Sequence, residues 1–144
     1  MTINSRVARS VRDLRSRLRD LAAAEHGEAT AKTTAAAAHV STQEQALEDT
    51  LDEAEDTLTG ITNVYHLDHH ADLVASKREA IAHAATAHAA AAEHANLAEA
   101  HLRSRIRQLK TAERVVEMVQ EHRAAREVRA EQGAQDDLVN ARRK

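Results

Sequence analysis

The sequence has 144 residues with no cysteine, no proline and no Phe or Trp, and 30% of its residues are charged. Without cysteine the chain can form neither disulfides nor thiolate metal sites, and without large aromatic side chains a broad globular core is not expected. The Ala, Glu, Arg and Leu content is typical of long helices exposed to solvent, so we predict an all-α protein.

Charge is unevenly distributed along the chain, although the net charge is only −3. Residues 1–20 hold six arginines and two aspartates, whereas residues 41–60 hold seven carboxylates and no Lys or Arg. Residues 101–114 are basic again. The two ends of the folded molecule are therefore expected to differ in electrostatic potential.

The first predicted element is a helix over about residues 3–59. Its first part carries large apolar side chains at alternating steps of four and three residues, which is the spacing of a coiled-coil seam. These side chains are Val7, Val11, Leu14, Leu18 and Leu21. Alanine replaces them over residues 22–38, and the stripe returns with Val40, Leu47, Leu51, Leu58 and Ile61.

A turn is predicted at about residues 60–63, because Gly60 can end a helix in the left-handed conformation and Thr62 or Asn63 can cap a new one. A second helix then runs over about residues 63–142. Residues 1–144 are thus predicted to form a single long antiparallel coiled-coil hairpin. Its second helix is longer than the first, and the last 20 or so residues extend roughly 30 Å past the first helix.

Folding back at this turn pairs residues whose numbers sum to about 123. Large side chains then meet large ones, and alanine-rich residues 22–38 lie opposite alanine-rich residues 85–101. The predicted seam pairs Val7 with Val116, Leu14 with Leu109, Leu18 with Ile106 and Leu21 with Leu102. The alternative is one continuous helix in a parallel dimer, which holds Gly60 inside the helix at a cost of about 1 kcal/mol. A parallel dimer does not explain why large side chains would face large ones and the two alanine-rich segments would face each other.

The segment YHLDHHADL, residues 65–73, places His66, His69 and His70 on one helix face, at spacings that raise the question of a metal site. A surface pair on one helix supplies two ligands, whereas a metal site needs three or four that converge. In the predicted hairpin these histidines lie near carboxylates of the first helix, which favours charge pairing instead. We therefore predict no metal and no cofactor.

Catalytic activity is not expected either. The sequence has no cysteine nucleophile, no glycine-rich phosphate loop and no His-Glu-x-x-His motif, and no glutamate is followed three residues later by the histidine that diiron bundles use. A pair of helices also offers no deep pocket that excludes water. We predict that the protein is not an enzyme.

Two stretches carry a family resemblance. The run REVRAEQGAQDDLVNARR, Arg126 to Arg143, has spaced arginines, an EQ pair and acidic residues before a basic end, and Gly60 is followed by YHLDHHADLVASKREAI. Together with the length and the two-helix organisation, these stretches resemble the flagellar export protein FliJ and its injectisome counterpart YscO, the central stalk proteins of type III secretion ATPases. The sequence does not distinguish the flagellar from the injectisome system.

The resemblance implies a terminal end that inserts into the hexameric export ATPase, promoting its assembly and ATP hydrolysis, and a hairpin tip that contacts the export-gate ring. Arginines on the exposed surface of the terminal end would bind the ATPase, and export chaperones are further candidate partners. The implied ATPase-binding residues are Arg6, Arg9, Arg12, Arg15, Arg19, Arg126 and Arg129. At the tip, Val64, Tyr65 and Leu67 would dock on the gate. The protein is then expected in the cytoplasm, peripheral to the inner-membrane export apparatus.

A different class of function is a self-associating structural coiled coil, such as a dimer of hairpins with no ATPase partner. An arginine stripe can also contact phosphates, but the acidic net charge and the lack of stacking aromatics argue against nucleic acid. The sequence contains no run of about 18 strongly apolar residues, and the apolar face of the first helix is narrow. Membrane insertion and membrane-surface binding are therefore not expected.

Overall fold

The structure is a computed structural model that describes residues 5–59 and 64–141. It contains two helices, α1 (Ser5–Leu58, 54 residues) and α2 (Val64–Ala141, 78 residues). Within these ranges only Thr59 lies outside a helix, and its backbone N–H donates to the carbonyl of Glu55 at 3.2 Å. The prediction of an all-α protein with a longer second helix is confirmed. The predicted turn at residues 60–63 lies outside the described residues.

Local sequence explains why both helices are long. The chain has no proline to interrupt a helix, and alanine is the residue with the highest helix propensity. Threonine is a weaker helix former, but its hydroxyl can donate to the carbonyl four residues earlier. Thr42 does so to Ala38 at 2.9 Å and Thr86 to Ala82 at 2.8 Å. The threonine hydroxyls thus form hydrogen bonds within their own helix and do not interrupt it.

The chain divides into two compact units, each containing a part of both helices. Unit 1 combines the chain up to Ala23 with the chain from His101 onward. Unit 2 consists of Ala24–Ala100. Because each unit contains the outward and the returning helix, the chain forms an antiparallel hairpin, as predicted, and not the continuous single helix of the alternative.

In unit 2 the two helices are joined directly by a side chain. The hydroxyl of Thr33 donates to the backbone carbonyl of Ala91 at 3.0 Å. The predicted register would place Ala90 opposite Thr33, so the observed pairing is displaced by one residue. Around this contact the half-buried residues of α1 follow steps of four and three, as in a coiled coil. They include His26, Ala29, Thr33, Ala36, Val40, Gln43 and Leu47, and the buried residue on α2 is Ala84.

In unit 1 the same spacing appears on both helices. Buried or half-buried positions at this spacing are Ala8, Arg12, Arg15, Arg19 and Ala22 on α1, and Leu102, Arg105, Leu109, Ala112, Val116 and Val119 on α2. We call these the seam positions of unit 1. Residues beside these positions are half-buried too, namely Ser16 and Leu18 on α1 and Ser104, Gln108 and Val115 on α2. Ser5, where α1 begins, and Val119, after which α2 becomes exposed, mark one end of the pairing. In this antiparallel register Ala8 lies level with Val116, Arg15 with Leu109 and Ala22 with Leu102.

The predicted seam of α1 is therefore wrong by one residue. Val7 is 55% exposed, Leu14 57% and Leu21 61%, Val11 is also exposed and Leu18 is half-buried. On α2 the prediction holds for Leu109 and Val116, which are buried, and in part for Leu102, which is half-buried, whereas Ile106 is exposed. We refer to Val7, Val11, Leu14, Leu18 and Leu21 as the α1 stripe.

The reason for the error is the heptad phase of α1. Val40 and Leu47, which are half-buried, have the same phase as Arg12 and Arg19, not that of the α1 stripe. To bury the α1 stripe as well as Val40 and Leu47, α1 would have to turn by about 100° about its own axis between residues 21 and 40. One residue advances a helix by that angle. The helix keeps one phase instead. Leu51, which was predicted to continue the apolar face of α1 after Leu47, is likewise exposed.

Candidate functional site

The first candidate surface is the terminal segment of α2. Every side chain described from Gln120 to Asp137 is exposed, because α1 begins at Ser5 and provides no neighbour for this part of unit 1. At 1.5 Å per residue the segment extends for about 25 Å. The predicted ATPase-binding residues Arg126 and Arg129 are both exposed on it. This surface is therefore accessible to a partner over its full circumference.

The arginines of α1 do not form the single exposed stripe that was expected. Arg6 and Arg9 are exposed, but Arg12, Arg15 and Arg19 are half-buried at seam positions. The correction follows from the one-residue shift of the seam, which moves these three arginines into the helix interface. Arginine can occupy a half-buried interface position because its aliphatic stem packs against neighbouring side chains while its guanidinium group reaches solvent. The candidate ATPase-binding arginines of α1 thus fall into two groups.

Adjacent carboxylates pair with two of the half-buried arginines. Arg12 Nη2 lies 2.7 Å from Asp13 Oδ1, and Arg19 Nη2 lies 2.7 Å from Asp20 Oδ1. Both carboxylates belong to α1 and so do not connect the two helices. These ion pairs orient the guanidinium groups along their own helix rather than across the hairpin.

Two arginines lie level with each other in the seam, Arg19 on α1 and Arg105 on α2. Arg105 donates to Nε2 of His101 at 3.2 Å and to Oε1 of Gln108 at 3.1 Å, which are both on its own helix. Nε of Arg19 is buried and has no hydrogen-bond partner. Like charges at one level repel each other, so this pair of arginines opposes the close approach of the two helices here.

The hairpin tip provides the second candidate surface. Tyr65 is 82% exposed, Val64 and Leu67 are also exposed, and Leu73 and Val74 further along α2 are half-buried. The predicted docking residues Val64, Tyr65 and Leu67 are thus accessible, whereas Leu73 and Val74 are partly covered. An exposed cluster of Val, Tyr and Leu side chains is a feature of interaction surfaces.

The histidines near the tip lie close together. The ring centroids of His69 and His70 are 6.1 Å apart, with the ring planes inclined by 55°. Nδ1 of His70 is buried without a hydrogen-bond partner. Nowhere in residues 5–59 and 64–141 do three or more His, Cys, Asp or Glu side chains come together in a way that could hold a metal ion.

Comparison with known proteins gives no further identification: no protein-family model, no curated protein and no solved structure matches this chain. Across the described residues, neither helix has a segment of the length and apolar content needed to cross a membrane. The assignment of a function therefore depends on the surfaces themselves and on the resemblance carried by the sequence.

Proposed function

We propose that this chain is the central stalk of a type III protein export apparatus. Unit 1 binds the hexameric export ATPase, promoting its assembly and ATP hydrolysis, and the hairpin tip contacts the export-gate ring. The protein then works in the cytoplasm at the inner-membrane export apparatus, where export chaperones are further partners. The proposal is supported by the resemblance to FliJ and YscO and by the surfaces described above.

The observation that carries the proposal is the bare helical segment from Gln120 to Asp137, which continues α2 beyond the start of α1. A single helix is about 10–12 Å in diameter with its side chains, which is narrow enough to enter the central opening of a ring. An asymmetric helix inside six identical subunits presents a different face to each of them. Such contacts can bias the order in which the subunits hydrolyse ATP.

The charges of this segment suit specific pairing better than general attraction. It contains both arginines and carboxylates, and Nε of Arg123 lies 3.7 Å from Oε1 of Glu127. The exposed Arg126 and Arg129 can form ion pairs with acidic loops of a ring, and the exposed Arg6 and Arg9 add positive charge at the start of α1. Complementary charge of this kind fixes the register of a complex and speeds its association.

The proposal is tested by adding the purified chain to a type III export ATPase and measuring ATP hydrolysis. We expect stimulation, and the double variant Arg126→Glu with Arg129→Glu should lose most of it. The matched control is Arg78→Glu, an exposed arginine of unit 2, which should stimulate like the unaltered chain. Absence of stimulation at saturating concentration would contradict the proposal.

A sedimentation experiment separates the stalk from the self-associating coiled coil. A stalk that works as one copy inside a ring should sediment as a monomer over the accessible concentration range. A dimer whose population rises with concentration, together with no effect on the ATPase, would identify the structural coiled coil instead.

A further inference from the structure

The α1 stripe lies beside the hairpin seam of unit 1, and four of its five side chains are exposed, whereas Leu18 is half-buried. Its large apolar side chains repeat at steps of four and three residues, which is the spacing of a second coiled-coil seam. Val7, Val11, Leu14 and Leu21 are exposed, each directly before a seam position of the hairpin. Helix α1 thus carries two adjacent seams, of which the hairpin uses one.

The corresponding residues of α2 line the other side of the groove between the two helices, and of these Val115 and Met118 are apolar. Viewed along one axis, antiparallel helices rotate in opposite senses, so residues that precede a seam position lie on the same side of both. On α2 these residues are His101, Ser104, Gln108, Thr111, Val115 and Met118, none of which is Asp, Glu, Lys or Arg. The hydroxyl of Thr111 donates to the carbonyl of Arg107 at 3.0 Å, so it needs no further partner.

The opposite side of unit 1 is different. The residues that follow a seam position are Arg9, Asp13, Ser16, Asp20 and Ala23 on α1 and Arg103, Ile106, Lys110, Glu113, Glu117 and Gln120 on α2. Charges of both signs make this side an ordinary solvated surface. Only the side with the α1 stripe carries a row of large apolar side chains at coiled-coil spacing.

Basic side chains border the groove on both helices. Arg17 of α1 and Arg107 and Arg114 of α2 are exposed at the positions that flank it, and Arg15 and Arg105 are half-buried at the seam below it. Nη1 of Arg114 donates to Oε2 of Glu117 at 3.2 Å. Charges at the flanking positions of a coiled coil determine which partner helix binds. The bordering arginines therefore favour a helix that carries carboxylates at its own flanking positions.

We propose that this groove binds an acidic amphipathic helix of a partner protein. The occupant has apolar residues at coiled-coil spacing and carboxylates beside them. The proposal goes beyond the stalk function, since it concerns the side of unit 1 rather than the bare end of α2 and does not depend on which protein supplies the helix.

A second copy of this chain fits the groove poorly. Residues 5–23 and 101–119, which form the paired part of unit 1, contain eleven Lys and Arg and only four carboxylates. Two such surfaces in contact would bring like charges together around an apolar contact, which is a recognised means of excluding a partner. Nucleic acid suits the bordering arginines but not the exposed leucines between them.

The test uses the full chain and a synthetic helical peptide of about three heptads, with leucine at the a and d positions and glutamate at e and g. Its binding is measured by fluorescence anisotropy. The same peptide with lysine at e and g is the charge control. We expect the glutamate peptide to bind at least about tenfold more tightly than the lysine peptide, and less tightly as salt increases.

Variants locate the site. Leu14→Ser and Leu21→Ser should each weaken the glutamate peptide by about tenfold or more, while Leu97→Ser, an exposed leucine of unit 2, should leave binding unchanged. Both stripe leucines are mostly exposed, so circular dichroism should show an unaltered helix content. The ATPase stimulation of Leu14→Ser, measured in parallel, distinguishes failure of the groove from failure of the stalk function.

Three results would overturn the proposal. Equal binding of the two peptides would mean that charge does not select the occupant. A dimer that dissociates on Leu14→Ser would make a second copy the occupant. Tighter binding of a duplex oligonucleotide than of the glutamate peptide, unaffected by Leu14→Ser, would make the basic border a phosphate site.

Discussion

The hydroxyl of Thr33 on α1 donates to the backbone carbonyl of Ala91 on α2 at 3.0 Å. A threonine side chain is short, so this bond requires the two helix backbones to be close. The alanines around it allow that approach, because small side chains at a helix interface let the two backbones come close together. The same hydroxyl lies 3.0 Å from the carbonyl of Ala29 in its own helix.

Replacing Thr33 by valine should destabilise the hairpin. The change keeps the shape and branching of the side chain but removes the hydroxyl, so the free energy of unfolding should fall by about 0.5–1.5 kcal/mol. Denaturant unfolding monitored by circular dichroism measures the loss. The control is Thr34→Val, because the exposed hydroxyl of Thr34 donates only to the carbonyl of Thr30 at 3.1 Å. Equal effects of the two changes would show that the bond to α2 contributes nothing.

Arg15 occupies a seam position level with the buried Leu109. Replacing it by leucine exchanges a half-buried guanidinium for an apolar side chain at an interface, so Arg15→Leu should raise the free energy of unfolding by about 1 kcal/mol. Thermal unfolding measures the gain. Arg9→Leu, a change at an exposed position of the same helix, should stay within about 0.5 kcal/mol of the unaltered chain. A stabilisation by Arg9→Leu as large as that by Arg15→Leu would argue against the seam described here.

Glu28 and Lys32 form an exposed ion pair one helical turn apart, with Nζ 2.7 Å from Oε1. The hydrogen bond from Lys32, and secondly its positive charge, lower the pKa of the Glu28 carboxyl. Because the pKa is lower in the folded state, the pair stabilises the fold above the unfolded pKa, and this contribution is lost as the pH falls through the folded pKa. In an NMR titration, Lys32→Gln should raise the pKa of Glu28. An unchanged value would exclude Lys32 as the cause.

Tyr65 is expected to act only at the tip. Because its side chain is 82% exposed, Tyr65→Ala should leave the helix content unaltered. Under the proposed function it should weaken binding to the export-gate ring and leave stimulation of the ATPase intact. Binding to the immobilised gate domain and ATP hydrolysis are measured on the same preparation. Loss of both activities would contradict the assignment of the two partners to different parts of the chain.

Sequence alone predicted the secondary structure and the pairing of the helices well. The apolar spacing and the absence of proline are enough to predict two long helices, and the matching of bulky and alanine-rich layers predicts an antiparallel hairpin whose observed register differs by one residue. Exposure of Tyr65 could also be foreseen, because two helices cannot cover a large side chain at their turn.

The face of α1 that enters the hairpin could not be predicted. Hydrophobicity favours Val7, Leu14 and Leu21, but Ala8 and Ala22, one residue later, are the ones that are buried. Alanine contributes little apolar surface, so the local apolar pattern does not single out Ala8 and Ala22 as buried positions. They are buried because Val40 and Leu47, further along the same helix, set the heptad phase of α1. For the same reason Arg12, Arg15 and Arg19 were expected on the outer surface.

The modest interior of this hairpin has a thermodynamic consequence. Among the described residues, four of the six that are buried are alanines, so folding removes little apolar surface from water. Exposure of apolar surface is what raises the heat capacity on unfolding, and the size of that rise sets the curvature of stability with temperature. The free energy of unfolding of this chain should therefore curve less with temperature than that of a globular domain of equal length.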